Sequence, residues 1–586
     1  MTLSLRDIIV VLAVLAAVGG WGTHKVRSWG CVPRNRARHI RLRLRLCRRP
    51  GRGHATTFSL WLRWGRLAAW RESGRVRPSL TAWQRARWPQ EHSMFLGRAH
   101  WRHTVRISVQ EHLAVIGPPR SFKTGLLTRL ILSAPGAVVS TSSKPDLFNV
   151  TSGVRAVRGP VHVFNPQGIG GIPSTIRWSP VAGCIDPATA IRRADAFAAA
   201  AHSGGTDDGK FWDSTASGCL RALFMAADLI GADMRTVARW ANGEHTNDAI
   251  EILQKARCFQ PAGALRILTG PAQKTAETVR AVINRALSFM GDPQLASSVL
   301  PGEGGEFDID AFLAGPEPGT LYMIAKAQGE DAAVSPVFAA LANEIQWRAT
   351  QLGSRMTGGR LDPPLRMVLD EVTQICPVPL PVWLADSGGQ GVQVCTAFHG
   401  IAQLQERWGR YGAQTVMDTS SVRMFIGGLA DEETLRHAAT LCGQAGYRVP
   451  GDERYIQADV MAPDMVRAVP LGYALLIRGS FAPVIVRLAR GWKDRAYKRA
   501  RRGGYAIAQL TPTAMAPELE RAAAAILTDA GLGWGVEDPV PTGLPAHPAT
   551  QPEPTFVWPP PGYGVPDAGE VVAEPETTPA YPWSRQ

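Results

Sequence analysis

The chain has 586 residues, a formal net charge of +15 and eight cysteines, a length that holds two or three domains with substantial cores. Lys25 to Arg71 carries fourteen Lys/Arg and no Asp or Glu, so the remaining chain is near neutral and a uniformly cationic surface is excluded. The cysteines, at 31, 47, 184, 219, 258, 376, 395 and 442, form no C-x-x-C pair and no metal-ligand spacing, and they predict reduced, buried thiols of a cytosolic fold.

The first predicted element is Ile8 to Gly22, an uncharged apolar stretch between Asp7 and His24. It sits at the short edge of what a membrane span needs. No small-x-small cleavage site follows, which favours an anchor over a cleaved signal. The basic flank is C-terminal, so residues 1–24 are expected to be a single-pass anchor in the cell (inner) membrane, with the bulk of the chain cytoplasmic. Residues 25–93 form a basic juxtamembrane segment. Within it, Arg36 to Arg49 suits anionic lipid or DNA phosphates, lipid being the more economical reading beside a span. Phe58 to Trp70, rich in Trp and punctuated by Arg63 and Arg66, suits an interfacial helix better than a second crossing.

Next comes an apolar run, Leu113-Ala-Val-Ile116, then Gly117-Pro118-Pro119-Arg120-Ser121-Phe122-Lys123-Thr124, then a helix-like stretch to Leu132. Strand, loop ending in Lys-Thr and helix is the context of a phosphate-binding P-loop. Backbone N–H groups and the helix N-terminus would point at the phosphates. Lys123 would reach the β/γ-phosphates, and the Thr124 hydroxyl would sit on Mg²⁺. Phe122 stands where the motif has its second glycine, and a side chain there is expected to crowd the phosphates.

Further apolar, β-branched runs predict a buried parallel sheet: 137–140, 161–164, 320–325, 367–370, 392–396 and 422–426. Runs 473–477 and 483–487 would finish that sheet or form an edge hairpin. With helix formers between them, the core is predicted to be α/β. Helical periodicity dominates from Pro187 to Ala201, Phe211 to Leu229, Ala249 to Lys255 and Thr275 to Phe289, predicting an all-α insertion over 186–300 that splits a nucleotide-binding domain into 94–185 and 301–510. Leu365-Arg-Met-Val-Leu-Asp370-Glu371 reads as a Walker B strand. Asp370 would hold the Mg²⁺ shell, and Glu371 would orient and deprotonate the attacking water. Its distance in sequence from the P-loop is no obstacle, since long insertions can join strands adjacent in a parallel sheet. The Pro-rich, acidic end is expected to be a disordered tail over 511–586, with Phe556, Trp558 and Tyr563 as the residues of any docking peptide.

From Met94 to Trp492 the chain resembles the type IV coupling proteins, the TraG/TraD conjugative DNA-transfer ATPases, and in particular their actinobacterial branch. The resemblance is carried by an ordered series of motifs. Leu96-Gly-Arg98 and the P-loop come first, followed by Ser142-Ser-Lys-Pro-Asp-Leu147, Val163-Phe-Asn-Pro166, Trp178-Ser-Pro180 and Phe211-Trp212. Then come Val368-Leu-Asp-Glu371, Gly400-Ile-Ala-Gln-Leu404 through Arg407-Trp408-Gly409, and Phe425-Ile-Gly-Gly428. The resemblance implies a RecA-like motor interrupted by an all-α domain, a homo-hexameric ring, and use of ATP with Mg²⁺. It implies transfer of DNA, read through its backbone, with a relaxase into a type IV secretion channel.

Against that family pattern, His399 takes the place of the glutamine that senses the γ-phosphate, and Gln390 falls where an arginine able to act in trans is usual. His399 keeps a donor for a phosphate and is the third expected catalytic residue beside Lys123 and Glu371. An arginine finger is worth about 10³–10⁵ in rate, so turnover would call on another arginine such as Arg423. With Phe122, these departures define a second reading, a degenerate nucleotide-binding receptor or scaffold that recruits substrate. A third, a septal chromosome-pumping translocase, would predict a C-terminal winged-helix reader, which the tail's composition does not support.

Overall fold

Short apolar runs bounded by Gly, Pro and polar turns make the strands. In chain order these are β1 Ser93–Arg98, β2 Thr104–Ser108, β3 Leu113–Ile116, β4 Val138–Ser142, β5 Val161–Phe164, β6 Thr320–Ile324 and β7 Leu365–Asp370. There follow β8 Val392–Phe398, β9 Val422–Ile426, β10 Gln444–Arg448, β11 Tyr455–Asp459, β12 Tyr473–Arg478 and β13 Val484–Leu488. The computed structural model describes residues 53–201, 207–301, 306–315, 317–326, 333–448, 455–493 and 497–498. The expected anchor (1–24), the basic run up to residue 52 and the tail (511–586) lie outside the described residues. Among the described residues, no helix is long and apolar enough to cross a membrane.

Eleven strands form one sheet in the order β2-β1-β13-β12-β9-β3-β8-β7-β4-β6-β5. From β9 to β5 every pairing is parallel. These strands are buried along their length, as a sheet covered by helices on both faces requires. The fold class is α/β with a mainly parallel sheet. Runs 473–477 and 483–487 do form a hairpin, β12–β13, but it is not an edge: β12 pairs with β9 and β13 with β1, all antiparallel. The wing beyond it, β1 and β2, has no counterpart among the predicted strands. Arg and His interrupt its apolar alternation, yet Met94, Leu96, Val105 and Ile107 are buried.

A helical stretch separates β5 from β6, running through Pro187–Ala201, Asp207–Leu229, Met234–Ala241, Thr246–Lys255, Phe259–Thr269 and Gln273–Ala286. It shares one continuous hydrophobic cluster with the sheet. The helix Ser335–Arg355, which lies against the sheet, holds it in place: Glu344 pairs with Arg192 at 3.0 Å and with Arg193 at 3.6 Å.

Two arginines with fully buried side chains lock the helix Lys123–Leu132 into the sheet. Arg366 on β7 donates to the Leu130 carbonyl at 2.8 Å and to Gln393 Oε1 at 2.7 Å. Arg155 donates to Thr320 Oγ1 at 2.7 Å, Ala134 O at 3.1 Å and Gly136 O at 3.0 Å. Burial pushes their pKa values down, to about 10 and about 9. Both remain charged at neutral pH, matching the negative end of the helix dipole.

The Trp-rich segment is one-sided. Leu60, Trp64 and Ala69 face the fold, whereas Phe58, Trp61, Leu67 and Trp70 are exposed. Arg478 on β12 fastens it. Its guanidinium donates to Glu111 at 2.6 and 2.8 Å and to the Arg63 carbonyl at 2.9 Å, and lies 5.2 Å from the Phe481 ring centre. Of the six cysteines described, five are buried and Cys258 is half-buried, and none forms a disulfide.

Candidate nucleotide site

Parallel register assembles the site. Ile116 of β3 lies opposite Phe398 of β8, and Asp370 of β7 opposite Ala397. The expectation that β3 and β7 could be neighbours is corrected: β8 runs between them. The residue that follows β8, His399, therefore stands between the P-loop and the paired acids. Pro119 to Thr124, Asp370, Glu371 and His399 line one cleft of about 360 Å³, together with Ser142, Ser143, Lys144 and Asp146. Lys144, from the Lys-x-Asp-Leu step, was legible as a motif but not as a site residue.

The loop itself is tightly wound. Gly117 N–H donates to the Phe398 carbonyl at 3.1 Å. A Cβ at Gly117 would lie 2.9 Å from that of Ile426 and 3.1 Å from Ser121 Oγ, so no side chain fits there. Pro118 lies over the glycine pair that follows β9; a Cβ at Gly428 would meet its Cγ at 3.5 Å. Arg120 and Phe122 both adopt left-handed backbone, with φ of 58° and 72°. Phe122 thus holds the conformation that a P-loop glycine would supply, at a cost of about 1 kcal/mol for a non-glycine residue. Its ring leans on the hydrophobic cluster under β1 and β13, with the Arg490 guanidinium 4.9 Å from its centre, and the residue lines the cleft.

Lys123 starts the helix and is mostly buried. Its Nζ donates to Gly117 O at 2.7 Å and meets His399 Nδ1 at 2.8 Å. Burial lowers its pKa, and the Asp370 and Glu371 carboxylates oppose that shift. Asp370 goes the other way: burial first, then the neighbouring Glu371, raises its carboxyl to about 6. Its backbone carbonyl accepts from Thr141 Oγ1 at 3.0 Å, tying the strand end to β4. Glu371 follows with φ of 49°, a turn that takes its side chain off the strand line and into the cleft. Thr124 is exposed at the cleft wall.

Ser121 Oγ is buried and has no hydrogen-bond partner. An orphaned hydroxyl in a loop that shares its cleft with a lysine and two acids fits a phosphate chain with a divalent cation. Thr124 and Asp370 are the residues that could hold the metal.

Two residues lie elsewhere. Gln390 precedes β8 at the opposite rim of the sheet; its Oε1 accepts from Thr350 at 2.8 Å and its amide bonds to Asp386. The Arg423 guanidinium is turned into its own fold, capping the helix Ile401–Thr419 through the carbonyls of Met417 and Asp418.

Residues 364–460, which include Asp370, Glu371 and His399, match the model of a family described as the TraM recognition site of TraD and TraG. No curated protein matches the chain by sequence. Among solved structures, the chain is similar to the unbound bacterial conjugative coupling protein TrwB lacking its N-terminal segment, at 19% identity and a TM-score of 0.52, covering 67% of this chain and 89% of that one. It is likewise similar to TrwB in complex with ADP and Mg²⁺, at 20% identity, a TM-score of 0.51 and coverage of 65% and 85%. A third likeness is to TrwB with a non-hydrolysable ATP analogue, at 20% identity, a TM-score of 0.50 and coverage of 66% and 88%. These likenesses show that the chain shares the fold of those structures.

Proposed function

We propose that this chain is a type IV coupling protein, a membrane-anchored ATPase that moves conjugative DNA and its relaxase into a secretion channel. The observation that supports this most is the convergence of Lys123, Asp370, Glu371 and His399 on one cleft at the carboxyl ends of adjacent parallel strands.

In this reading the N–H groups of residues 120–124 and the Lys123 amine bind the phosphates, and burial keeps the lysine's partners few. The Thr124 hydroxyl and Asp370 carboxylate would hold Mg²⁺, which when bound would neutralise charge building on the β/γ-oxygens. Glu371, half-buried at the cleft edge, orients a water and accepts its proton. His399, already against Lys123, donates to the terminal phosphate. A homo-hexameric ring would bring a neighbour's cation to each site. The segment 364–460 would receive a TraM-like relaxosome component, and the residues before 53 would supply the membrane anchor.

Two observations favour the receptor reading as the alternative. Lys123 is engaged by its own loop and His399, and Arg423 is consumed as a helix cap. Full-length protein in detergent, with Mg-ATP and DNA, separates the two. DNA-stimulated hydrolysis that vanishes in Lys123→Ala supports the motor. Background turnover with DNA binding retained overturns it in favour of the receptor.

A further inference from the structure

The residues that follow β13 form a strap along the P-loop helix. The Arg490 guanidinium carbon sits 4.9 Å from the Phe122 ring centre. A Cβ at Gly491 would meet Thr128 Cγ2 at 2.1 Å, and a Cβ at Gly125 would meet the Trp492 indole at 2.7 Å. The strap therefore touches positions 122, 125 and 128, one face of the helix at three-residue spacing. Glycine on each side of the contact lets the two backbones close. The outer edge of the Trp492 six-membered ring packs against Gly125, and the residue remains 38% exposed.

We propose that Trp492 is the platform on which the base of the bound nucleotide stacks, held there by Arg490 seated on Phe122. This rests on the reading of the cleft as a nucleotide site. Lys123 and the acids define the γ-end of the phosphate chain, and the N–H groups around Thr124 define its α-end. Sugar and base would then leave over the first helical turn, beside the cleft, where the next residue is Gly125 and the half-exposed indole packs against it. An aromatic face binds any base through its π-face, with little demand on edge chemistry. The same strap gives Phe122 a purpose that glycine could not serve, because only a ring there can seat the Arg490 guanidinium.

Calorimetry on the full-length protein with two ligands, Mg-ATP and Mg-tripolyphosphate, tests the platform, since only the first has a base. Trp492→Ala is expected to weaken Mg-ATP about tenfold and leave tripolyphosphate within twofold, with Trp492→Phe recovering most of the loss. Unchanged ATP affinity in Trp492→Ala overturns the proposal. So does an equal loss for both ligands, which would make the strap a mere prop for the helix. Lys123→Ala should lose both ligands. If the unsubstituted protein binds neither, the nucleotide reading of the cleft falls, and the platform with it.

Discussion

Lys123 Nζ lies 2.8 Å from His399 Nδ1 and 2.7 Å from the Gly117 carbonyl oxygen, so one ammonium bridges two acceptors. The Nδ1 and carbonyl oxygen are themselves only 3.1 Å apart. An ammonium has no acceptor to offer, so Nδ1 must receive its hydrogen and the imidazole proton resides on Nε2. Binding a phosphate chain has to redirect that amine. His399→Ala should therefore tighten Mg-ADP about fivefold, the equivalent of one net hydrogen bond of about 1 kcal/mol, while lowering turnover at least tenfold. Calorimetry together with steady-state kinetics checks the split; a matching loss in both quantities would contradict it.

The raised Asp370 carboxyl predicts a pH response. Its ordinary value is 3.8 and its value in the fold is about 6. The fold therefore favours the protonated form: this group's contribution to stability is full below the ordinary value and lost as pH rises through about 6. Metal binding runs oppositely, because protons compete for the carboxylate. The thermal shift given by Mg-nucleotide should be large at pH 7.5 and much reduced at pH 5.5. In Asp370→Asn it should be small at both.

Phe122 predicts an inverted substitution order. Phe122→Ala loses the ring but keeps a Cβ in left-handed backbone, whereas Phe122→Gly loses the ring and sheds the strain. The glycine variant should be the more stable of the two by about 1 kcal/mol. Chemical denaturation measures the difference, and alanine equal to or better than glycine would refute it.

Arg366→Met tests the lock at the far end of the P-loop helix. It strands Gln393 Oε1 and leaves the Leu130 carbonyl only the long 3.4 Å bond from Ser133 Oγ, and a loss of about 2–4 kcal/mol is expected. Thermal melting should move down by several degrees. A melt within one degree of the parent would show that the buried guanidinium is dispensable.

Much of the site was legible because its residues are local in sequence: Lys123-Thr124 follows one strand and Asp370-Glu371 ends another. The α/β class and the parallel run from β9 to β5 were legible for the same reason, since buried strands are short and uniformly apolar. What escaped was every relationship set by register. That β8 separates β3 from β7 cannot be read from spacing, and it decides that His399 touches Lys123. The wing of β1 and β2 was hidden by its arginines and histidines, whose stems can lie along apolar surface while their heads stay wet. The left-handed turn at Phe122 and the strap at Arg490–Trp492 depend on contacts between segments more than 350 positions apart.

The Trp-rich helix has a mechanical consequence. Its start is bonded to the β12–β13 hairpin, through the Ala55 N–H to the Pro483 carbonyl at 3.0 Å and through Arg478 to Arg63 at 2.9 Å. The second strand of that hairpin runs straight on into Arg490. A tug on the chain before residue 53 is thus delivered to the hairpin whose exit lies on the P-loop helix, and the helical lobe is bypassed. Traction from the N-terminal side would reach the loop 117–124 by way of that hairpin and Arg490.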